Sequence, residues 1–294
     1  MKRGVKTFLS AALGLAAVAA TAVALVPKDP ASKGRQMGDR EKSTAEADLT
    51  GTDWPDGCSE QVFEEARAIL CVVDASADSL RLVYRTDQDG VLGTVSKASE
   101  HVRLGLAPGE RFVLAMNAGM YHADMQPVGL YVEAGVEMAP LNRDDGFGNF
   151  FLKPNGVFFV KDDGSAGVLE TEAYTQAGIK PAFATQSGPM LLIDGAIHPR
   201  FLPDGTSKFI RNGVGVRADG KVVFAITRDK VSLGSFARLF RDVADCENAL
   251  FFDGAVSSLA LGGDMLIDSG EPAGPVAVVI TRPKADESSA HPEI

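Results

Sequence analysis

Ala249-Leu-Phe-Phe-Asp-Gly-Ala-Val-Ser-Ser-Leu-Ala-Leu261 is the stretch around which the rest of the chain arranges itself. Four apolar residues in succession, Ala249 to Phe252, suit a strand covered on both faces rather than one with a wet side. The run stops at Asp253 and Gly254, and small or hydroxylated residues follow. A carboxylate at the mouth of a buried strand stands where burial and neighbours tune its pKa, and the adjoining glycine lets main chain approach a ligand closely. Asp-Gly between apolar runs is equally a strong two-residue hairpin signal. Taken alone, the stretch leaves a turn and a site both open.

Upstream, Ser235 to Val243 places Phe236, Leu239, Phe240 and Val243 at helical spacing with Arg238, Arg241 and Asp242 off that stripe, which predicts an amphipathic helix feeding the central strand. Arg211-Asn-Gly-Val-Gly-Val216, the Asp219-Gly220 turn and Lys221 to Thr227 predict a strand pair. Arg211 stands at its entrance, where a guanidinium can fork onto a carboxylate or phosphate. Asp194-Gly195 is flanked symmetrically by apolar residues and reads as a plain hairpin turn, whereas Ser187-Gly188-Pro189 is a polar kink at the head of a strand. Asn149 to Val160 reads as two aromatic-rich strands around the turn Lys153-Pro-Asn-Gly156.

Phe112 to Met116 is a further buried strand leading into Asn117-Ala-Gly-Met-Tyr-His122, a small-residue turn bearing an amide, a phenol and an imidazole. Such groups hydrogen-bond sugars and phosphates well. Ser96 to Leu106 reads as a short helix closed by Pro108-Gly109. Ile69 to Val73 with Leu80 to Tyr84 reads as a first hairpin, and Val276 to Thr281 as the last strand. No tandem repeat, nucleotide-binding loop, Gly-x-Ser-x-Gly elbow or His-Glu-x-x-His pair occurs. The expected fold is α+β: a single domain of mixed, mostly antiparallel sheets with a few helices.

Composition divides the 294 residues. Lys2, Arg3 and Lys6 precede an uncharged run to Pro27 rich in Ala, Leu and Val, the layout of an export signal or, uncleaved, of an N-terminal membrane anchor. Residues 28–53 are charged and nearly free of large apolar side chains, as in a flexible spacer; 54–282 form the domain, and 283–294 a loose polar tail. The first fifty residues hold 8 of the 29 basic and 5 of the 39 acidic side chains, leaving 21 against 34 and a net charge of −13. That field argues against nucleic acid as a partner, and an anionic substrate needs a local cluster of cationic or N–H groups.

The cysteines are Cys58, Cys71 and Cys246. In an oxidising compartment Cys58 and Cys71, flanking one short segment, are the expected pair; three separate buried thiols are the alternative. No cysteine spacing resembles a zinc site, the four histidines 101, 122, 198 and 291 are scattered, and no metal or other cofactor is expected.

In order along the chain, Met116-Asn-Ala-Gly-Met-Tyr121, Pro127-Val-Gly-Leu-Tyr131, Lys153-Pro-Asn-Gly156, Gln186-Ser-Gly-Pro189, Arg211-Asn-Gly-Val-Gly-Val216 and Asn248-Ala-Leu-Phe-Phe-Asp-Gly254 resemble the phosphodiester glycosidase family. The resemblance runs from about Cys71 to Thr281 and is closest to an exported bacterial branch. Near its C-terminal end the family usually reads Asp-Gly-Gly-Gly-Ser-Ser, which lines up with Asp253-Gly-Ala-Val-Ser-Ser258, so two of three glycines are replaced while the carboxylate and both hydroxyls remain.

The resemblance implies hydrolysis of a sugar 1-phosphodiester, with a carbohydrate or sugar-phosphate as partner. A phosphate leaves readily, so such a site needs one carboxylate near the anomeric carbon and a cationic or N–H cluster on the phosphate. Asp253 is then the expected nucleophile or base and Arg211 the phosphate clamp, with His122 a candidate for proton transfer. Asn117, Ser187, Asn212 and Ser257 would hydrogen-bond sugar or phosphate, with Gly119, Gly188 and Gly254 allowing close backbone approach. Asp124 and Glu133 are the alternative carboxylates. The replaced glycines also suit a second class, a glycan-binding or exopolysaccharide-assembly module that keeps the fold without turnover.

Overall fold

Cys246–Asp253 lies inside a seven-stranded sheet whose order is Cys58–Phe63, Ala66–Val73, Val222–Thr227, Asn212–Arg217, Cys246–Asp253, Met190–Ile193 and Ala196–Ile197. The structure is a computed structural model that describes residues 54–86 and 90–282; the segment expected to direct export, the spacer and the tail fall outside the described residues. A second sheet has the order Ala166–Glu170, Gly156–Val160, Phe183–Ser187, Tyr131–Glu133 and Val136–Ala139. A third has the order Asp264–Ile267, Leu259–Leu261, Arg111–Asn117, Val276–Thr281 and Ser79–Val83. The pairings within all three are antiparallel. Among the described residues no helix is long and apolar enough to cross a membrane.

The unbroken apolar run at 249–252 follows from two-sided cover. Leu250 and Phe252 enter a core shared by all three sheets, with Ile69, Leu114, Met116, Tyr131 and Phe158. Ala249 and Phe251 face the opposite way, onto Phe236 and Phe240 of the helix Leu233–Arg238 and the π-helical turn Leu239–Val243. The third sheet is covered on its outer face by Val95, Ala98 and Val102 of the helix Val95–Leu104, and the second by Tyr174 of the helix Thr171–Ala177. Each sheet therefore has an inner face on the common core and an outer face under one helix. Caps mark where two of these helices start: Thr94 Oγ1 accepts from Lys97 N at 3.1 Å and Ser232 Oγ from Ser235 N at 3.1 Å.

Several local expectations hold. Asp194 and Gly195 have φ of 50° and 75° and join Met190–Ile193 to Ala196–Ile197. Cys58 and Cys71 are directly opposite across a hairpin, 4.0 Å apart at Cα, and are disulfide-bonded, while Cys246 is a buried free thiol.

Three expectations are corrected. Asp253-Gly254 does not close a hairpin: neither residue takes the positive φ of such a turn, and the next strand, Leu259–Leu261, pairs with Arg111–Asn117 in the third sheet. Ile69–Val73 and Leu80–Tyr84 are not partners either, because Ser79–Val83 crosses to the third sheet and pairs with Val276–Thr281. The true first hairpin is Cys58–Phe63 with Ala66–Val73, turning at Glu64 and Glu65 with φ of 48° and 64°. Glu64 tolerates that backbone because Arg238 and Ser235 both donate to its carboxylate. Lastly, Asn149–Phe151 is a 3-10 turn rather than a strand, held at its end by Asn155 Nδ2 donating to Phe150 O at 3.0 Å.

Candidate functional site

Strands of all three sheets end at one face of the domain. Asn117 closes a strand of the third sheet, Ser187 a strand of the second, and Asp253 the central strand of the first, beside Asn212 at the start of its neighbour. Polar side chains at such a junction must find partners or pay full desolvation. Asn212 Nδ2 donates to Asn117 O at 2.7 Å and to Asn117 Oδ1 at 3.1 Å. Asn117 Oδ1 also accepts from Ser258 N at 2.8 Å. Ser257 Oγ lies within 3.2 Å of Asn212 Oδ1 and 3.1 Å of the carbonyls of Ile210 and Asp253. Ser187 Oγ donates to Phe252 O at 3.3 Å. All of these side chains are buried. They form a latch that fixes both ends of the loop 253–258, the crossover from the first sheet to the third.

Within that loop Asp253 Oδ1 accepts from the main-chain N–H groups of Ala255 and, at 3.0 Å, of Val256. This is an Asx turn, which sets the carboxylate's orientation without a hairpin. Oδ2 makes no hydrogen bond among the described residues, which leaves it for a ligand.

Arg211 is only 2% exposed. Its Nε donates to Val231 O at 2.8 Å and Nη2 to Ser207 O at 2.9 Å, and the guanidinium lies over the rings of Phe209 and Phe251, 5.5 and 5.4 Å from their centroids. A Cβ placed on Gly254 would stand 3.2 Å from Nη1, so this glycine is what lets the Asp253 loop pass over the cation. Burial pushes the Arg211 pKa down to about 10 and the Asp253 charge opposes that shift, so the group stays cationic at neutral pH. The fork expected of Arg211 is thus committed to main-chain carbonyls; the charge and Nη1 remain directed at the loop.

Tyr121 lies within the field of the same carboxylate. Its hydroxyl donates to Pro272 O, its ring packs so closely on Gly274 that a Cβ there would be 2.7 Å away, and burial with the charges of Asp253 and Glu271 pushes its pKa up to about 12. The phenol is a permanent donor.

The remaining expected residues are placed as follows. Gly119 and Gly188 allow close approach, but of the domain's own chain: a Cβ would fall 2.1 Å from Thr185 Oγ1 of a neighbouring strand and 2.6 Å from Phe150 O of the 3-10 turn respectively. His122 is exposed on a turn closed by its own main chain, His122 N to Gln126 O and Met125 N to His122 O, both 2.8 Å. Asp124, on that turn, accepts from Gln126 N at 3.1 Å. Glu133 accepts from Tyr131 Oη at 2.7 Å and has its pKa raised by burial. Neither alternative carboxylate is hydrogen-bonded to the latch, and Asp253 is the carboxylate that adjoins it. Lys153, in the Lys153-Pro-Asn-Gly156 turn, bonds Arg143 O and Asp145 Oδ1, each at 2.8 Å. Phe209 and Ser258 were not among the residues given a role from the sequence. The second was legible as the last residue of the Asp253 motif; the first carried no signal beyond being an aromatic two positions before Arg211.

A family model described as phosphodiester glycosidase matches residues 110–282. The uncharacterized protein YigE of Escherichia coli strain K12 is 38% identical over 150 residues, 51% of this chain and 58% of that protein, so the match spans little more than half the relative's length. Among solved structures, the catalytic domain of the zebrafish N-acetylglucosamine-1-phosphodiester alpha-N-acetylglucosaminidase, auto-inhibited by its pro-peptide, superposes with a TM-score of 0.53 over 76% of this chain and 81% of that one, at 15% identity. A hypothetical protein from Synechocystis gives 0.50 over 76% of this chain and 61% of its own, at 13% identity. At such identities the two structures establish the shared fold, and the family follows from the matched model: the chain belongs to the phosphodiester glycosidases.

Proposed function

We propose that the domain is an exported hydrolase that cleaves a sugar 1-phosphodiester, at the bond between the anomeric carbon and a phosphate oxygen, in envelope or extracellular glycans. The observation that carries this reading is the pairing of a carboxylate with a free oxygen, Asp253 Oδ2, and a buried cation that keeps one nitrogen uncommitted, Arg211 Nη1, on either side of Gly254. Asp253 acts as nucleophile on the anomeric carbon or as base for the water that attacks it. The C–O bond breaks as phosphate takes the electron pair and leaves as a monoester; the water oxygen bonds to the anomeric carbon, directly or by displacing Asp253 from a glycosyl ester, and the water proton passes to solvent, by way of Asp253 when it acts as base, with His122 the candidate relay on the other route. Arg211 stabilises charge growing on phosphate through its field and a single N–H.

In this reading Asn117, Asn212, Ser187 and Ser257 position the loop, and Gly119, Gly188 and Gly254 set the spacing of the strands and loops around it. Family membership supports a glycosidase acting on a phosphodiester, and the zebrafish relative's substrate, an N-acetylglucosamine 1-phosphodiester, suggests the sugar to try first. The Cys58–Cys71 disulfide fits an oxidising compartment. The N-terminal run would supply export, with or without retention as an inner-membrane anchor.

The test is incubation of the purified domain with methyl phosphodiesters of N-acetylglucosamine, glucose and galactose 1-phosphate, reading free reducing sugar. Release supports hydrolysis. A non-catalytic glycan-binding or exopolysaccharide-assembly module is the second reading, favoured by Ala255 and Val256 in place of two glycines. It predicts binding of the same compounds with no sugar released.

A further inference from the structure

Phe209 is a large aromatic residue left 47% exposed beside Arg211, Asn212 and Ser257, which are buried. Its backbone is not free to wander. Phe209 N donates to Val231 O at 3.1 Å and Phe209 O accepts from Val231 N at 2.9 Å, an isolated two-residue bridge. Arg211 ties the same segment a second time, through Ser207 O and Val231 O, and its guanidinium carbon stands 5.5 Å from the Phe209 ring centroid. The cation stands over the ring, and nearly half of the residue is still open to solvent. The ring is also adjacent to the reactive loop, since a Cβ on Gly254 would lie 3.5 Å from Phe209 Cβ.

An exposed phenyl group costs solvation free energy, and one whose backbone is held by two main-chain hydrogen bonds and whose ring lies against a guanidinium gains little entropy from its exposure. Covering Arg211 does not require the exposure either, because Phe251 covers the guanidinium from a fully buried position, 5.4 Å away. What a rigid aromatic face offers is contact area at little ordering cost. Sugars match it: a pyranose has polar hydroxyls at its edge and a face of C–H bonds, which packs on a ring while the edge remains free for Asp253 and Arg211.

We propose that Phe209 is the platform on which a pyranose ring of the substrate stacks, and that it positions that sugar over the Asp253–Gly254 loop. This rests on the hydrolase reading for the identity of the reaction, but not for the binding itself. Phe209 is a positioning residue, so its loss weakens binding of sugar more than it slows the bond-breaking step.

The experiment compares wild type with F209A, F209L, F209Y and F209W, using the three methyl phosphodiesters named above. Calorimetric affinity is measured for every compound, and KM and kcat for any that are cleaved. The platform requires F209A and F209L to lose about tenfold in affinity or KM with kcat within about threefold, and F209Y and F209W to recover most of it. F209L keeps an apolar cover on Arg211, so its thermal midpoint stays near that of wild type and separates stacking from packing. Wild-type affinity in F209L overturns the platform, as does failure of the wild type to bind any of the three sugars. Binding that depends on Phe209 without any sugar release leaves the platform standing and overturns the hydrolase reading instead.

Discussion

Asn212 Nδ2 reaches both oxygens of Asn117, 2.7 Å to the main-chain carbonyl and 3.1 Å to the side chain, and both residues have no exposed surface. One amide thereby joins the first sheet to the third at the point where the chain crosses between them. Replacing it with alanine leaves a carbonyl and an amide oxygen short of a donor and opens a small cavity. We expect Asn212→Ala to cost about 2–3 kcal/mol, read as a lowered urea midpoint with an unchanged slope. A cost below about 0.5 kcal/mol would mean that the pair is not a latch.

The disulfide and the free thiol give a labelling prediction. Cys58 and Cys71 are bonded, and burial pushes the Cys246 thiol up to about 12, so no thiolate is available at pH 8. Iodoacetamide should modify no cysteine in the native domain and only Cys246 after unfolding without reductant. Reduction of the bond should lower stability by about 2–3 kcal/mol, which is roughly 5–10 °C in a domain of this size.

Arg67 and Asp229 provide the pH dependence. Hydrogen bonds from the Arg67 side chain and main chain hold the Asp229 carboxyl at about 2, below its ordinary 3.8. A carboxyl depressed by folding stabilises the fold above its unfolded pKa and loses that contribution as pH falls through the folded one. The side chains are 38% and 36% exposed, so solvent screening keeps the effect below about 1 kcal/mol. Asp229→Asn should therefore melt slightly below wild type at pH 6, with the gap closing between pH 4 and pH 2.

Arg211→Lys tests how much of this residue belongs to the fold. Lysine cannot reach Val231 O and Ser207 O together, nor stack on both Phe209 and Phe251, so Ser207 O loses its guanidinium donor and Val231 O is left with Phe209 N alone. The expected cost is about 2–4 kcal/mol of stability, together with reduced turnover. A thermal midpoint that stays put while activity falls would show instead that the guanidinium serves the ligand alone.

How much of this was legible in the sequence depends on whether the cause was local. The central strand was readable because cover on both faces replaces alternation with a continuous apolar run, and Asp194-Gly195 because its neighbours on both sides are equally apolar. The destination of the chain after Asp253 was not, since turn chemistry says where a backbone bends and not which sheet receives it. The crossover after Val73 was missed for the same reason. The Glu64-Glu65 turn is stabilised by Arg238, far along the chain, and no local pattern announces it. The partners of Arg211 are main-chain carbonyls, which leave no trace in residue identity. The residues that form the latch were found as motifs, but as presumed ligands of a sugar rather than of one another.

One substitution separates the two roles of Asp253. Its Oδ1 organises the loop by accepting from Ala255 N and Val256 N, and an asparagine Oδ1 accepts from the same two donors. Asp253→Asn should therefore keep the fold and the thermal midpoint, while Asp253→Ala loses the turn as well and melts lower by about 1 kcal/mol. The negative charge on Oδ2 is a separate matter. An anomeric centre gains positive character as phosphate departs, and an amide neither attacks it nor takes a proton from water. On any sugar 1-phosphodiester that the wild type cleaves, Asp253→Asn should lose at least about a hundredfold in kcat, or roughly 3 kcal/mol of transition-state stabilisation. The Arg211 field would remain, so binding of the phosphodiester should be kept or slightly tightened once the facing charge is gone. Retained turnover in Asp253→Asn would reduce this residue to its Asx turn and return the search for the carboxylate to Glu133 and Asp124.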